Sequence, residues 1–475
     1  MIDLSQVYAQ YQADEERTRQ RNVITARNYY AGDQVAKLSE RQKEFLGFNL
    51  DKERFAVNYC ATVVDAVVER MIVDHFSSAD EALAAWVMEV WKAARMDAKQ
   101  QAVHHAAVND GEHFVLVDWP EGAAYPRLLS HPRYADAEDG GTGFGCKAHY
   151  VEDDPNQELE AVSKRWTESY RDDKGRTRQR TRMNVYYPGR TERYVRATAG
   201  QYAEAGWAPF ADDAGEAVIV RARTDGTSMR IPWAHFIKPG RLELWDAIPL
   251  QDLINKTALD IVAAVDAAGF PIRLAYGFTP TTDGKAPDGT SNLLSLFPGC
   301  WIAIPQGEGN KVDFQPGEDP TPMLGALDSY ILKLAQVTDT PVSRFQMGRQ
   351  VRAEGTLQQE EEPLLAKIRA YATQFGNGWE DAFYIARELA NERGMGLNED
   401  AALDTEWEPA ETRNKLEELK GLEIKARVGV PQEQLWAEMG YDAKDIAAMR
   451  AMVSEAQQAQ ANLGGALMER FERGV

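Results

Sequence analysis

The stretch 246–390 limits the possible folds more than any other. Two amphipathic helical segments run out and back around a Pro/Gly-rich excursion, which calls for a two-helix stalk with a separate module at its far end. The outgoing segment, Ile248 to Ala268, places Leu250, Leu253, Ile254, Ile261, Val262 and Val265 on one face by i, i+3, i+4 spacing. Asp252, Lys256, Asp260 and Asp266 fall together on another side. Gly269-Phe270-Pro271 ends the helix and opens a turn-rich, strand-like stretch over 269–319. Pro320-Thr321-Pro322-Met323 then starts a return helix to about Val337, with Leu324, Leu327, Ile331, Leu332 and Leu334 apolar. A loop over 338–355 leads into a long helix expected from Glu354 to Arg393. Such a stalk points away from an enzyme pocket.

The flanking regions predict an α+β protein. Residues 1–31 read as polar helix ending at Gly32, a C-terminal signal. Residues 55–73 are apolar on most sides and predict a largely buried helix, whose Asp65, Glu69 and Arg70 are read as ion-paired positions. Two more helices are expected over 80–108, with Trp86, Val87, Val90 and Trp91 on one stripe, followed by a buried strand from Gly111 to Trp119. From Lys147 to Ile237 the hydrophobic period changes to two, with Asp-Gly-type turns, which predicts an antiparallel meander. Strands do not alternate with helices, so a doubly wound parallel sheet is excluded. Trp407-Glu408-Pro409 introduces a helical tail, in which one helix stops at Gly429 and Pro431.

Composition narrows the function. A length of 475 residues gives a prior of about three domains. The net charge of −21 argues against a protein that coats nucleic acid, though it does not exclude DNA passing through a lumen whose acidic wall repels phosphate and must not hold it tightly. Cys60, Cys146 and Cys300 are scattered and odd in number, which supports neither a disulfide framework nor a cysteine zinc site and fits a reducing compartment. The N-terminus lacks the basic and apolar regions of a signal peptide, and no apolar run is long enough for a membrane span. No phosphate-cradling GxxxxGK[ST] loop or GxSxG elbow occurs, and no cofactor is implied. Gly140-Gly141-Thr142-Gly143-Phe144-Gly145 reads as a flexible loop, and the adjacent His104 and His105 point to different sides of a helix, a poor pair of metal ligands. Glu360-Glu361-Glu362-Pro363 reads as a solvated helix start. The informative loop is 338–355, which carries Arg344, Arg349 and Arg352 with Phe345, Gln346, Met347 and Gln350 in an otherwise acidic chain. Arginines on a loop can hold a nucleic-acid backbone without reading sequence. They can equally pair with neighbouring glutamates, and both readings stay open.

Several segments together resemble the portal proteins of tailed bacteriophages, in particular those of siphophages. They are Ala26-Arg27-Asn28-Tyr29-Tyr30-Ala31-Gly32-Asp33, a helix from Asn58 to Phe76, and the glycine-preceded strand in Asn109-Asp110-Gly111-Glu112-His113-Phe114-Val115. Further on they include Ile248-Pro249-Leu250-Gln251-Asp252-Leu253, Gly269-Phe270-Pro271-Ile272-Arg273, Thr340-Pro341-Val342-Ser343-Arg344-Phe345, Phe375-Gly376-Asn377-Gly378-Trp379-Glu380 and Trp407-Glu408-Pro409 with Gly440-Tyr441. The likeness runs in order over nearly the whole chain. One departure is Ala353-Glu354-Gly355-Thr356, where many relatives have a serine-rich helix start.

The resemblance implies a wing over 1–245, stem helices over 246–268 and 320–337, a clip over 269–319 and a tunnel loop over 338–355. The long helix over 356–404 would complete the wing, and 405–475 would form a crown. Copies would assemble as a dodecameric ring at one capsid vertex, made in the host bacterial cytoplasm and carried in the virion. The partners implied are double-stranded DNA in the channel, the terminase large subunit, the head-tail adaptor, and the major capsid and scaffolding proteins. Arg344, Phe345, Gln346, Met347, Arg349, Gln350 and Arg352 would face DNA, while Asp252, Lys256, Asp260 and Asp266 would line the stem. The competing readings are a carboxylate-dependent hydrolase and an internal head or scaffold-type interaction protein.

Overall fold

The computed structural model describes residues 3–34, 57–134, 145–151, 158–172, 174–196, 206–211, 215–269, 272–276, 301–304, 311–315, 319–345, 354–411, 415–439 and 446–454. The chain forms two compact units, Met1–Ala410 and Glu411–Val475. Within the first, α1 (Leu4–Gln12) opens with a capping box, in which the Asp3 carboxylate accepts from the Gln6 amide at 2.8 Å and the Gln6 side chain accepts from the Asp3 amide at 2.9 Å. Next, α2 (Asp14–Ala31) has three carboxylates at its positive dipole end and closes on Gly32 at φ 77°, as the glycine predicts.

The apolar run that follows forms α3 (Cys60–Val68), which is nearly all buried. It stops short of the expected Val73 or Phe76, because Val73–Ser77 is a strand, β1. Its partner is a distant segment, Asp404–Trp407, with Val73 opposite Trp407 and Ser77 opposite Asp404. The Gln100 side chain also accepts from the Val73 amide at 2.8 Å. This tertiary pairing overrides local helical propensity.

Helices α4 (Glu81–Ala93) and α5 (Met96–Asp110) follow, and Trp86, Val87, Val90 and Trp91 are buried as their stripe predicts. The strands are β2 (Glu112–Asp118), β3 (Arg127–Pro132), β4 (Cys146–Tyr150), β5 (Leu159–Arg171), β6 (Thr177–Tyr187), β7 (Arg190–Arg196), β8 (Ala208–Pro209), β9 (Val218–Val220) and β10 (Trp233–Ile237). Strands β4 to β8 form an antiparallel sheet in sequence order, and β9 also pairs with β7. The expected meander ends before Ile237, because β10 leaves it and pairs with β2 in a second sheet, β10-β2-β3. Phe236, buried on β10, belongs to the core of the helical layer, which explains the switch of sheet.

Between the sheets and the amino-terminal helices lies a buried ionic cluster. The Arg133 guanidinium bonds Glu16, Glu112 at 3.0 Å and the Cys146 carbonyl at 2.8 Å. Lys147 reaches Glu16 at 2.7 Å, and His235 reaches Glu112 at 2.8 Å. Burial alone would raise the Glu112 carboxyl, but the His235 bond and the Arg133 charge hold it far below the usual carboxylate range.

The expected stalk is present as α6 (Ala247–Gly269) and α7 (Thr321–Val337), which pack against each other. Between them lie β11 (Ile272–Tyr276), β12 (Trp301–Ile304) and β13 (Lys311–Gln315), with β11 central, parallel to β12 and antiparallel to β13. A short 3₁₀ turn, Val342–Arg344, precedes α8 (Glu354–Glu392), which runs 39 residues and matches the expected span to within one residue. Pro363 lies inside α8, so the neighbouring glutamates are not the helix start that the sequence reading assigned. Glu361 instead pairs with Arg70 at 2.8 Å, half-buried against the preceding helices. Strand β14 (Asp404–Trp407) then completes the pairing with β1. The second unit contains α9 (Lys415–Val428), ending at Gly429 with φ 97°, and α10 (Gln432–Glu438), joined by a Lys425–Glu438 pair at 2.6 Å.

Helix α8 is the spine of the core. Trp379 is fully buried, with ring centroids 4.8 Å from Phe236 and 4.9 Å from Trp91, both edge-on. Gly378 lets Phe236 approach so closely that a Cβ there would sit 2.9 Å from the ring, whereas one at Gly376 would meet nothing nearer than 3.5 Å. Gly378→Ala is therefore expected to cost about 1–3 kcal/mol through overpacking. Gly376→Ala, in the same helix, is expected to be neutral or to stabilise by up to about 1 kcal/mol through backbone entropy. Thermal melts of the two variants check this, and equal melting temperatures would contradict it.

Candidate functional site

The described part of the site implied by the sequence lies on α6 and on the turn after α7. Gln251 and Asn255, one helical turn apart on α6, are both buried. Gln251 Oε1 accepts from the Tyr59 amide at 3.0 Å, and its Nε2 donates to the Val57 carbonyl and, at 3.0 Å, to Asn255 Oδ1. Asn255 Oδ1 also accepts from the Val57 amide at 3.0 Å, and its Nδ2 donates to Gln34. These two amides satisfy the backbone of 57–59, which leads into α3 with no ladder of its own. Beside them the Tyr29 hydroxyl donates to Asp252, and burial together with that bond pushes the tyrosine hydroxyl well above its ordinary range. The sequence reading counted Gln251 only within a family-like string and did not separate the pair. The signal available was two amides at i, i+4 beside an apolar face.

The turn after α7 is equally well anchored. The Thr338 hydroxyl donates to the Leu334 carbonyl at 2.7 Å and lies 3.0 Å from Thr340 Oγ1, and Asp339 takes a left-handed φ of 51°. Lys367 of α8 donates to the Thr338 carbonyl and to Glu243 at 2.8 Å, while Tyr371 donates to Glu243 at 2.8 Å. Burial opposes the Glu243 charge, but Lys367 and Lys238 hold its carboxyl below the ordinary value.

Two of the seven expected DNA-facing residues lie among the described residues. Arg344 pairs with Glu69 at 2.5 Å, across an exposed contact, and Phe345 packs edge-on against Tyr59 at 5.5 Å between centroids. Gln346, Met347, Arg349, Gln350 and Arg352 lie outside the described residues. Of the stem set, Asp252 is held by Tyr29, Lys256 is exposed and Asp260 is half-buried, while the Asp266 side chain lies outside the described residues. The glycine loop 140–144, Cys300, and Gly440-Tyr441 also lie outside them.

Helix α6 does not bury its expected apolar face as a whole. Ile254 is fully buried, but Leu253 is 42% and Val265 52% exposed. On α7, Ile331 and Leu334 are buried, while Leu324, Leu332 and Val337 are 46%, 45% and 51% exposed. Each of the two helices thus buries part of its apolar surface and leaves part of it open.

Elsewhere the chemistry is structural. His104 Nε2 accepts from the Trp379 indole at 2.9 Å, and its Nδ1 faces the Met71 carbonyl at 3.0 Å. His105 turns away, against Tyr30. Among the described residues no group of three His, Cys, Asp or Glu side chains is placed to hold a metal, and no helix is long and apolar enough to cross a membrane.

Gln251→Leu, which removes the side-chain partner of the Tyr59 amide, the Val57 carbonyl and Asn255 Oδ1, is expected to destabilise by about 1–3 kcal/mol. Arg344→Ala removes a solvent-exposed pair and should cost less than about 1 kcal/mol. Denaturant unfolding of the two variants checks the ranking, which a costlier Arg344→Ala would overturn.

Comparison with known proteins bears on the identity. The family model for "Phage portal protein, SPP1 Gp6-like" matches residues 9–461. The portal protein of Mycobacterium phage L5 is 23% identical over 441 residues, covering 87% of this chain and 82% of its own. That of Mycobacterium phage D29 is 22% identical over 438 residues, with the same coverage of 87% and 82%. A solved chain described as "Virion of native gene transfer agent (GTA) particle" aligns over 88% of this chain and 99% of its own, at 11% identity and a TM-score of 0.40, a superposition too loose to argue from. With its model matched from residue 9 to residue 461, the chain belongs to the SPP1 Gp6-like family of phage portal proteins.

Proposed function

We propose that copies of this chain close into a ring, expected to be dodecameric, whose channel passes double-stranded DNA at one capsid vertex during packaging and ejection. The carrying observation is the stem, where Leu253, Val265, Leu324, Leu332 and Val337 are each 42–52% exposed on a single subunit. Apolar surface arranged along one hairpin calls for a partner, and a heterologous contact repeated by rotation closes a ring. Lys256 and Asp260 would then look into the lumen with Asp266, and Asp252 would sit at its root. An acidic wall repels phosphate and lets the strand slide.

In this reading the loop 338–355 lies against DNA, with Arg344, Phe345, Gln346, Met347, Arg349, Gln350 and Arg352 touching the backbone. Arg344 would exchange Glu69 for phosphate at little cost, since the pair is exposed. The clip, 269–319, would dock the terminase large subunit and later the head-tail adaptor, while the wing meets the major capsid and scaffolding proteins. Residues 405–475 would form the crown. The protein is a conduit and not an enzyme, with ATP hydrolysis left to the terminase. It would be made in the host bacterial cytoplasm and reside in the virion.

Negative-stain electron microscopy with light scattering is expected to show rings of about a dozen subunits with a central hole. Leu332→Glu with Val337→Glu should leave folded subunits that no longer form rings, whereas a compact wild-type dimer would sink the proposal. A separate experiment addresses the loop. Neutralising Arg344 and Arg349 together should leave rings intact but lower the DNA content of assembled particles, and normal DNA content would remove the loop from its role.

A further inference from the structure

The acidic chain carries one strongly basic element. Residues 164–196 hold eleven Lys and Arg against four Asp and Glu, in a protein whose net charge is −21. The excess sits on the β5–β6 hairpin and the adjoining strand β7. Cross-strand register puts Tyr170 opposite Arg178, Glu168 opposite Arg180 and Trp166 opposite Arg182, so these side chains share one face.

That face is ordered by its own chemistry. Arg180 lies over the Tyr170 ring at 4.7 Å and the Phe210 ring at 4.8 Å, and Arg182 lies over Phe210 at 3.3 Å. Glu168 accepts from Arg180 Nε at 2.5 Å and from Arg182 Nη1 at 3.1 Å. At the hairpin end, Asp172 accepts from Arg178 Nε at 2.8 Å and from Arg176 Nε at 3.3 Å. Each carboxylate therefore serves two guanidinium groups, and the cation excess is not neutralised on the spot. Arg176, Arg178 and Arg180 make these pairs through Nε. Arg176 and Arg178 are 59% and 54% exposed, and Lys174 stands exposed at the turn between them and Arg171.

We propose that this row, Lys174, Arg176, Arg178 and Arg180, is a nucleic-acid-backbone contact surface separate from the loop 338–355, binding duplex phosphates without regard to sequence. Three features favour phosphate over an acidic peptide. The cations are mostly arginine, whose planar fork suits bidentate phosphate. Alternate residues of a strand advance about 6.8 Å, which matches the rise of two base-pair steps along a duplex axis at about 3.4 Å each. The Tyr170 and Phe210 rings carry the Arg180 guanidinium on their faces and brace that end of the row. Acidic surface elsewhere on the chain does not cancel the patch, because at physiological salt charges are screened beyond about 8 Å.

The inference rests on the hairpin alone and holds whether or not the chain forms a ring. Anisotropy of a short fluorescein-labelled duplex of scrambled sequence, titrated with the full-length protein over a range of salt, tests it. The Lys174→Ala, Arg176→Ala, Arg178→Ala triple variant is expected to bind at least about tenfold more weakly at physiological salt. Its log–log salt slope should fall by about 2–3, at roughly 0.9 per lost phosphate contact. Arg176→Lys with Arg178→Lys keeps the charge and should keep the slope, which guards against misreading a folding defect. Affinity and slope unchanged in the triple variant would overturn the proposal. Displacement of the duplex by polyglutamate at equal charge concentration would also overturn it, in favour of an acidic protein partner. Light scattering on the same samples reports ring formation independently, so failure of the ring reading is seen separately.

Discussion

The larger unit depends on a hydrogen bond between two buried rings. The Trp379 indole can only donate, and inside the core it has to find an acceptor or lose the full cost of desolvation. His104 supplies it through Nε2, which forces the tautomer whose Nδ1–H points to the Met71 carbonyl. Burial drives this imidazole down to about 4, against the modest pull of the Met71 bond, so it stays neutral near pH 7. One neutral ring thus couples α8, α5 and the turn after α3. It leaves that turn free to run straight into β1, where Gln100 and the distant β14 take over the backbone.

The same constraint explains what the sequence could and could not tell. Helices α6, α7 and α8 were legible almost to the residue because their periodicity is bounded by proline and glycine. The Gly32 and Gly429 stops were legible for the same local reason. The end of α3 was not, since nothing between Val68 and Val73 breaks a helix, and only the pairing of Val73 with Trp407, far along the chain, decides it. Strand β10 looked like the last strand of a meander, but Phe236 belongs beneath Gly378 of α8. The alternation Arg178, Arg180, Arg182 was in plain view, yet it reads as an ordinary solvated strand until the register places aromatic rings beside it.

The candidate site was legible in its outline and hidden in its fastening. The stem helices could be read from apolar spacing, but spacing does not say which apolar positions a subunit covers for itself. The answer lies at the start of α6, where the Gln251–Asn255 pair and the Tyr29–Asp252 bond tie one side of the helix to residues 29–34 and 57–59. Farther along, α7 packs against α6, yet residues such as Val265 stay open. A helix that is polar-locked at its base and apolar-exposed above it can be rigidly oriented in each subunit while still offering a sticky flank. That combination suits a repeated contact better than a wholly buried or a wholly polar helix would, because the angle is fixed before the partner arrives.

Charge is segregated along the same lines. The acidic groups near the stem and the cationic β5–β6 hairpin lie on different elements, and local pairing does not blend them: Glu168 and Asp172 each hold two arginines and neutralise neither pair fully. If the hairpin served only the fold, cross-strand carboxylates in equal number would stabilise it better, since like charges on adjacent positions repel. A sheet that tolerates this repulsion, and braces it with Tyr170, Phe210 and Trp166, retains the cations for something outside itself. Under the proposed channel function the division is consistent: repulsion where a strand would slide, attraction where it would be held.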